Sequence, residues 1–174
     1  MHYSNLKPHD VANGVGVRVS LFVSGCEHAC LGCFNPEAWQ FNFGKPYTSE
    51  IEQHVINALR PEYIRGLTLL GGEPLHPRNR DAILGLIERI RRELPEKDIW
   101  CYTGYQFDHE LLPESEHDLL LKSLLEQIDV IIDGRFILAN KSLNTRFRGS
   151  ENQRVIRCKE SIKAGKIILW NDKS

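Results

Sequence analysis

The sequence predicts an α/β fold in which a mainly parallel sheet curls into a partial, open β/α barrel. Three observations predict it. Short β-branched apolar runs alternate with segments that repeat apolar residues at helical spacing, the pattern of parallel strands joined by right-handed crossovers. The first four such runs each end in a glycine-bearing loop, at Gly25, Gly71-Gly72, Gly104 and Gly134. The chain has 174 residues, fewer than the roughly 250 that eight β/α units need.

Residues 17–23, Val-Arg-Val-Ser-Leu-Phe-Val, read as the first strand, and Gly14-Val15-Gly16 as a tight turn into it. The glycines precede the strand and lack a third partner, so the dinucleotide-binding fingerprint fails. A Cys- and Gly-rich loop runs to about Tyr47. Ser49 then caps a helix, with Glu52 as capping-box partner and Ile51, Val55, Ile56 and Leu59 on one face, ending before Pro61. Residues 66–70 form the second strand. Asp81 opens a helix whose Ile83, Ile87, Ile90 and Leu94 recur at helical spacing, with Pro95 beyond it. The third strand spans 98–102, a helix with a leucine-rich core face spans 117–127, and the fourth strand spans 129–133. Beyond Gly134 the pattern weakens, and 154–158 and 166–170 read as short strands. The length fits a single domain over residues 1–174, with a core of about 10–156 and a C-terminal extension over 157–174.

Composition excludes several classes. There are 22 Lys and Arg against 23 Asp and Glu, a net charge of −1, which gives no support to a polyanion-binding surface. No apolar run approaches the ~20 residues of a membrane span, and the N-terminus lacks the apolar core of a signal peptide. The expectation is a cytoplasmic protein that engages neither nucleic acid nor membrane.

Five cysteines, Cys26, Cys30, Cys33, Cys101 and Cys158, are an odd set for a disulfide framework. Three of them form a C-x3-C-x2-C cluster just after the first strand. Thiolates are soft ligands suited to zinc or to iron–sulfur clusters. A structural zinc needs a fourth ligand, from His28, Cys101 or Cys158. A redox pair, Cys30-Leu-Gly-Cys33, leaves Cys26 unexplained. A [4Fe–4S] cluster held by three cysteines uses all three and keeps one iron open to a small molecule. Cys101 and Cys158 sit in apolar surroundings and read as buried, inert thiols. His28 reads as a hydrogen-bonding loop residue and His76 as a loop-shaping one. Arg89, Arg91 and Arg92 read as a solvated helix face, and Asp133-Gly134-Arg135 as a weaker site candidate at a strand end.

The cysteine cluster, followed after the second strand by Gly71-Gly72-Glu73-Pro74, resembles the signature pair of the radical S-adenosylmethionine (SAM) superfamily. Further segments narrow the resemblance: Phe22-Val23-Ser24-Gly25-Cys26, Gly32-Cys33-Phe34-Asn35, Trp39, Gly71 to Pro77, Thr103-Gly104-Tyr105, Asp133 to Phe136 and Arg148 to Gln153. Over residues 10–156 the chain is similar to the anaerobic ribonucleoside-triphosphate reductase activating proteins. The wider superfamily places an aromatic residue just before the third cysteine. Here that position is Gly32, and Phe34 follows the cysteine instead.

The resemblance implies a [4Fe–4S] cluster on Cys26, Cys30 and Cys33, with SAM on the open iron. It implies a SAM site formed by Gly32, Cys33, Phe34, Gly71, Gly72 and Glu73, with Glu73 adding a contact or orienting the turn. It also implies reductive cleavage of SAM to a 5′-deoxyadenosyl radical. That radical takes a hydrogen from a glycine of the partner, the anaerobic ribonucleoside-triphosphate reductase, with the electron coming from a donor such as reduced flavodoxin or ferredoxin. Catalysis then resides in cluster and cofactor and in no protein side chain. Two other readings share some of these motifs: a small radical SAM enzyme acting on a metabolite, or an activase of another glycyl-radical enzyme. A zinc-stabilised binding module is the non-catalytic alternative.

Overall fold

A computed structural model describes residues 1–171 of the chain; the last three residues of the expected 157–174 extension lie outside the described residues. The four strands expected from the sequence form the parallel centre of one sheet. They are β2 (Val17–Val23), β4 (Ile64–Gly71), β5 (Asp98–Tyr102) and β6 (Val130–Asp133). Antiparallel strands extend it on both sides. β1 (His2–Asp10) pairs with β2, the two-residue β3 (Lys45–Pro46) pairs with β1, and β7 (Arg154–Arg157) pairs with β6. The order is β3-β1-β2-β4-β5-β6-β7, so the sheet is mixed at its margins, parallel at its heart and open.

The parallel strands are buried because helices cover one face. α1 (Ser49–Leu59), α2 (Pro77–Glu93) and α4 (Leu119–Gln127), the last preceded by the one-turn α3 (Leu112–Ser115), deliver Val55, Ile56, Leu59, Ile83, Leu86, Ile87, Ile90, Leu121, Leu124 and Leu125 to one apolar core. The sheet supplies the alternate residues Val19, Leu21, Val23, Leu67, Leu69, Ile99, Cys101 and Ile131. The opposite face carries Arg18, Ser20, Thr68, Trp100 and Ile132, all buried. Arg18 is accommodated there by Asp98 at 2.6 Å and by Thr68 Oγ1 at 2.7 Å. The indole of Trp100 meets Phe147 and Trp170 edge-on, so the chain's own C-terminal portion packs over this face.

Several boundaries differ from the sequence expectation. The cap of α1 is Thr48, whose extended backbone places Oγ1 toward the Ile51 amide; Ser49 is already helical. α2 begins at Pro77, four residues before Asp81, capped by His76 Nδ1 on the Arg78 amide at 3.2 Å. Its first turn buries Asn79 and Arg80, polar residues that apolar periodicity passes over. Residues 117 and 118 precede α4, with Asp118 as its cap. Residue 129 precedes β6, and its carboxylate accepts from the Ile99 amide.

β1 was not expected. Only Tyr3 and Asp10 are buried along it, and beyond Tyr3 it is the sheet edge, where Pro8 costs no ladder bond. Residue 158 opens the short helix α5 (Cys158–Ala164), and 166–170 makes only an isolated bridge from Leu169 to Ile156. No helix among the described residues is long and apolar enough to cross a membrane.

Candidate functional site

The carboxyl ends of the four parallel strands meet at a cavity of about 120 Å³. Cys26, Cys30 and Cys33 line it from the loop after β2, Gly71 and Gly72 from the end of β4, and Tyr102, Thr103 and Gly104 from the end of β5. Gly134, Phe136 and Gln153 come from β6 and the segment leading into β7. This is the edge where a parallel sheet splays its loops apart and sites are built. A larger cavity of about 440 Å³ lies at the opposite end of the strands. Its cations are already paired, Arg65 with Asp98, Arg157 with Glu160 and Lys159 with Asp129, so it offers no uncompensated charge to a ligand.

The two motif loops are laced together by their backbones. The Gly72 amide donates to Val23 at 2.7 Å and the Glu73 amide to Gly25 at 2.8 Å, continuing the β2–β4 pairing past the strand ends. The Gly25 amide donates to Ala38 and the Cys26 amide to Trp39. This close approach requires glycine. A Cβ on Gly72 would lie 2.7 Å from the Gly25 carbonyl oxygen, and Gly71 has φ +109, outside the range of ordinary side chains.

Within the cysteine loop, the Cys33 amide donates to Cys30 and the Asn35 amide points at the Cys33 sulfur at 3.5 Å. Burial pushes the Cys26 thiol up to about 11, with Glu73 and the neighbouring thiols adding to the effect. A soft cation must therefore displace the proton when it binds there. Cys101 and Cys158 are fully buried in the main core, and burial raises both thiols far above the ordinary range. Among the described residues, no three His, Cys, Asp or Glu side chains are gathered closely enough to hold a single metal ion.

The residues expected at a SAM site separate into three groups. Cys33, Gly71 and Gly72 line the cavity. Gly32 and Phe34 lie outside its lining; Phe34 is 85% exposed, and Gly32 packs beside Leu138. Glu73 lies beneath the cavity with 1% exposure, both carboxylate oxygens engaged. Oε1 accepts from the Leu75 amide and Thr103 Oγ1, both at 2.9 Å, and Oε2 from the Gly104 amide and His28 Nε2, both at 2.8 Å. Four donors leave that carboxylate the role of orienting the turn.

His28 is accordingly a hydrogen-bonding loop residue. His76 both caps α2 and stacks edge-on against Phe41. Asp133 is a structural anion, buried and bound by Arg154 and the Phe107 amide, while Gly134 beside it lines the cavity. Tyr102, Phe136 and Gln153 line the cavity without having been singled out as site residues. Phe136 and Gln153 stand in segments that carry the family resemblance, and the signal for Tyr102 is only its place at a strand end.

Comparison with known proteins agrees with this geometry. Residues 12–156 match the family described as a 4Fe-4S single cluster domain. The chain is 45% identical over 161 residues to the anaerobic ribonucleoside-triphosphate reductase-activating protein of Haemophilus influenzae, covering 91% of this chain and 99% of that one. It is 43% identical over 155 residues to the protein of the same name from Escherichia coli strain K12, covering 88% and 96%. Against its namesake from Enterobacteria phage T4 the identity is 41% over 157 residues, covering 89% and 93%.

Proposed function

This chain belongs to the anaerobic ribonucleoside-triphosphate reductase-activating proteins, and on that footing we infer that it is a radical SAM activase whose work is done at the cavity above β2, β4, β5 and β6. The observation that carries the reading is the meeting of three thiols with the Gly71-Gly72 turn in one cavity. The donor set fits the group: three soft sulfurs suit iron and leave one coordination position of a cluster to a small molecule. The glycine turn fits too, since side chains there would collide with the neighbouring backbone.

Cys26, Cys30 and Cys33 are the residues that would hold the cluster, and the Gly71 and Gly72 backbone would lie against SAM. When bound, cluster and SAM supply one-electron cleavage to methionine and a 5′-deoxyadenosyl radical, which takes a hydrogen atom from a glycine Cα of the reductase. The protein's part is to hold, orient and shelter. The laced loops after β2 and β4 keep thiols and glycine turn in register. The Asn35 amide directs a hydrogen bond at the Cys33 sulfur. Phe136 and Tyr102 give the cavity an apolar wall.

The chain acts as one domain. Supporting this, Cys158 of α5 joins the main core and the Trp170 amide donates to Val155, so the C-terminal extension folds back onto the sheet. The cluster takes its electron from a one-electron donor such as reduced flavodoxin or ferredoxin. The test is anaerobic reconstitution with iron and sulfide, followed by incubation with SAM, reductant and the reductase under electron paramagnetic resonance. A glycine-centred doublet is expected. Its absence in the presence of a reducible cluster overturns the reading.

A further inference from the structure

His28 lies between the first and second cysteines, and its side chain is only 7% exposed despite standing in a loop. Its imidazole occupies a slot with three walls. On one side Nε2 donates to Glu73 Oε2 at 2.8 Å. On another, the ring meets Tyr105 edge-on with centroids 4.6 Å apart. The third wall is Gly104, where a Cβ would stand 2.3 Å from His28 Cδ2 and 2.6 Å from Nε2. Glu73 is itself pinned by the Leu75 and Gly104 amides and by Thr103. The slot therefore joins the loop after β2 to the loops after β4 and β5. The same loop seats the Asn35 amide on the Cys33 sulfur at 3.5 Å.

We propose that His28 is a positioning residue for the cluster: its imidazole, seated between Glu73 and Gly104, clamps the cysteine loop, with its amide-to-sulfur hydrogen bond, over the glycine turn. The proposal rests on the reading that Cys26, Cys30 and Cys33 hold an iron–sulfur cluster. It also explains why position 104 carries glycine. No unusual backbone angle is needed there, and the bar to a side chain is the imidazole itself. Hydrogen bonds to cluster sulfurs stabilise the added electron, so their loss moves a cluster potential downward. Partners that orient ligands rather than ligate are worth roughly 10–100-fold in metal retention.

The test uses the full chain reconstituted anaerobically, as wild type, His28→Ala, His28→Gln, Gly104→Ala and the His28→Ala/Gly104→Ala double variant. Three properties are read: the rate of iron loss to a chelator, the midpoint potential of the cluster, and the change in its spin-resonance signal on adding SAM. His28→Ala and Gly104→Ala are each expected to lose iron about tenfold faster, with a more negative midpoint. The double variant is expected to be no worse than His28→Ala, because the added methyl then enters an empty slot. His28→Gln, whose amide can still donate to Glu73, is expected to recover most of the loss.

A His28→Ala protein with wild-type iron retention and potential overturns the proposal. So do Gly104→Ala and His28→Ala losses that multiply in the double variant. Failure of the activase reading looks different: the cluster forms and responds to the variants as stated, yet no glycyl radical appears on the reductase. A wild-type protein that takes up no iron overturns the cluster reading and this proposal together.

Discussion

Asn79 Nδ2 donates to the Glu73 carbonyl oxygen at 3.0 Å and, from the same amide, to the Ser24 carbonyl oxygen at 3.1 Å. One buried side chain in the first turn of α2 thus bridges the residue of the glycine turn whose carboxylate gathers four donors and the strand end that leads into the cysteine loop. Asn79 is the floor on which the two motif loops rest.

Removing that bridge leaves the buried Ser24 carbonyl without its donor, while the Glu73 carbonyl keeps the His76 amide, at a cost of about 1–3 kcal/mol. Asn79→Ala, which removes the amide without adding bulk, is expected to lower unfolding stability by at least that amount in urea titration and to weaken SAM binding by the reconstituted protein. Unchanged SAM affinity at reduced stability would confine Asn79 to folding.

The five cysteines divide by place, three in the loop after β2 and two buried in the core. Alanine at Cys26, Cys30 or Cys33 is expected to abolish stoichiometric [4Fe–4S] assembly, measured as iron and acid-labile sulfide after anaerobic reconstitution. Alanine at Cys101 or Cys158 is expected to leave iron content intact and to cost about 1–2 kcal/mol of stability, because a small, fully buried side chain is lost from the core.

The two phenylalanines near the site differ in their relation to the cavity. Phe34 follows the third cysteine yet is exposed outside the cavity, whereas Phe136 forms part of its wall. Phe136→Ala is expected to weaken SAM binding about tenfold, the order of a lost aromatic contact, and Phe34→Ala by less than threefold. Equilibrium binding to the reconstituted protein separates them, and the reverse ranking would return the SAM contact to Phe34.

Arg154 grips Asp108 in bidentate fashion at 2.8 and 3.1 Å while also pairing with Asp133. Its hydrogen bonds hold the Asp108 carboxyl at about 2, against an ordinary value of 3.8. A carboxylate whose pKa is depressed on folding adds stability in full above the unfolded value and loses it as pH falls. The contribution therefore vanishes between about pH 4 and pH 2. With Asp108 30% exposed, solvent screening reduces it to about 1–2 kcal/mol. Asp108→Asn is expected to flatten that portion of the stability profile and to leave the profile above pH 5 parallel to wild type.

The parallel centre of the sheet is legible in the sequence because fully buried strands are written as β-branched apolar runs, as in residues 17–23, and carry their signal locally. The C-x3-C-x2-C spacing is legible for the same reason: its meaning resides in residue type and separation along the chain. β1 is not legible, since as an edge strand it buries little more than Tyr3 and leaves no periodicity to read. The first turn of α2 escapes because its buried positions, Asn79 and Arg80, are polar and satisfied by partners far away in sequence.

By itself, then, the sequence determined the fold class, the strands that aim their carboxyl ends at one edge, and the three thiols suited to iron. Only the tertiary structure decided which side chains face the cavity and which serve it from beneath. Phe34 and Glu73 both belong to the motifs, yet one points to solvent and the other is spent on four donors. The physical reason is that a buried carboxylate must find every donor it can. Those donors come from Leu75 in its own turn and from His28, Thr103 and Gly104 on two other loops, which meet only when the sheet has formed.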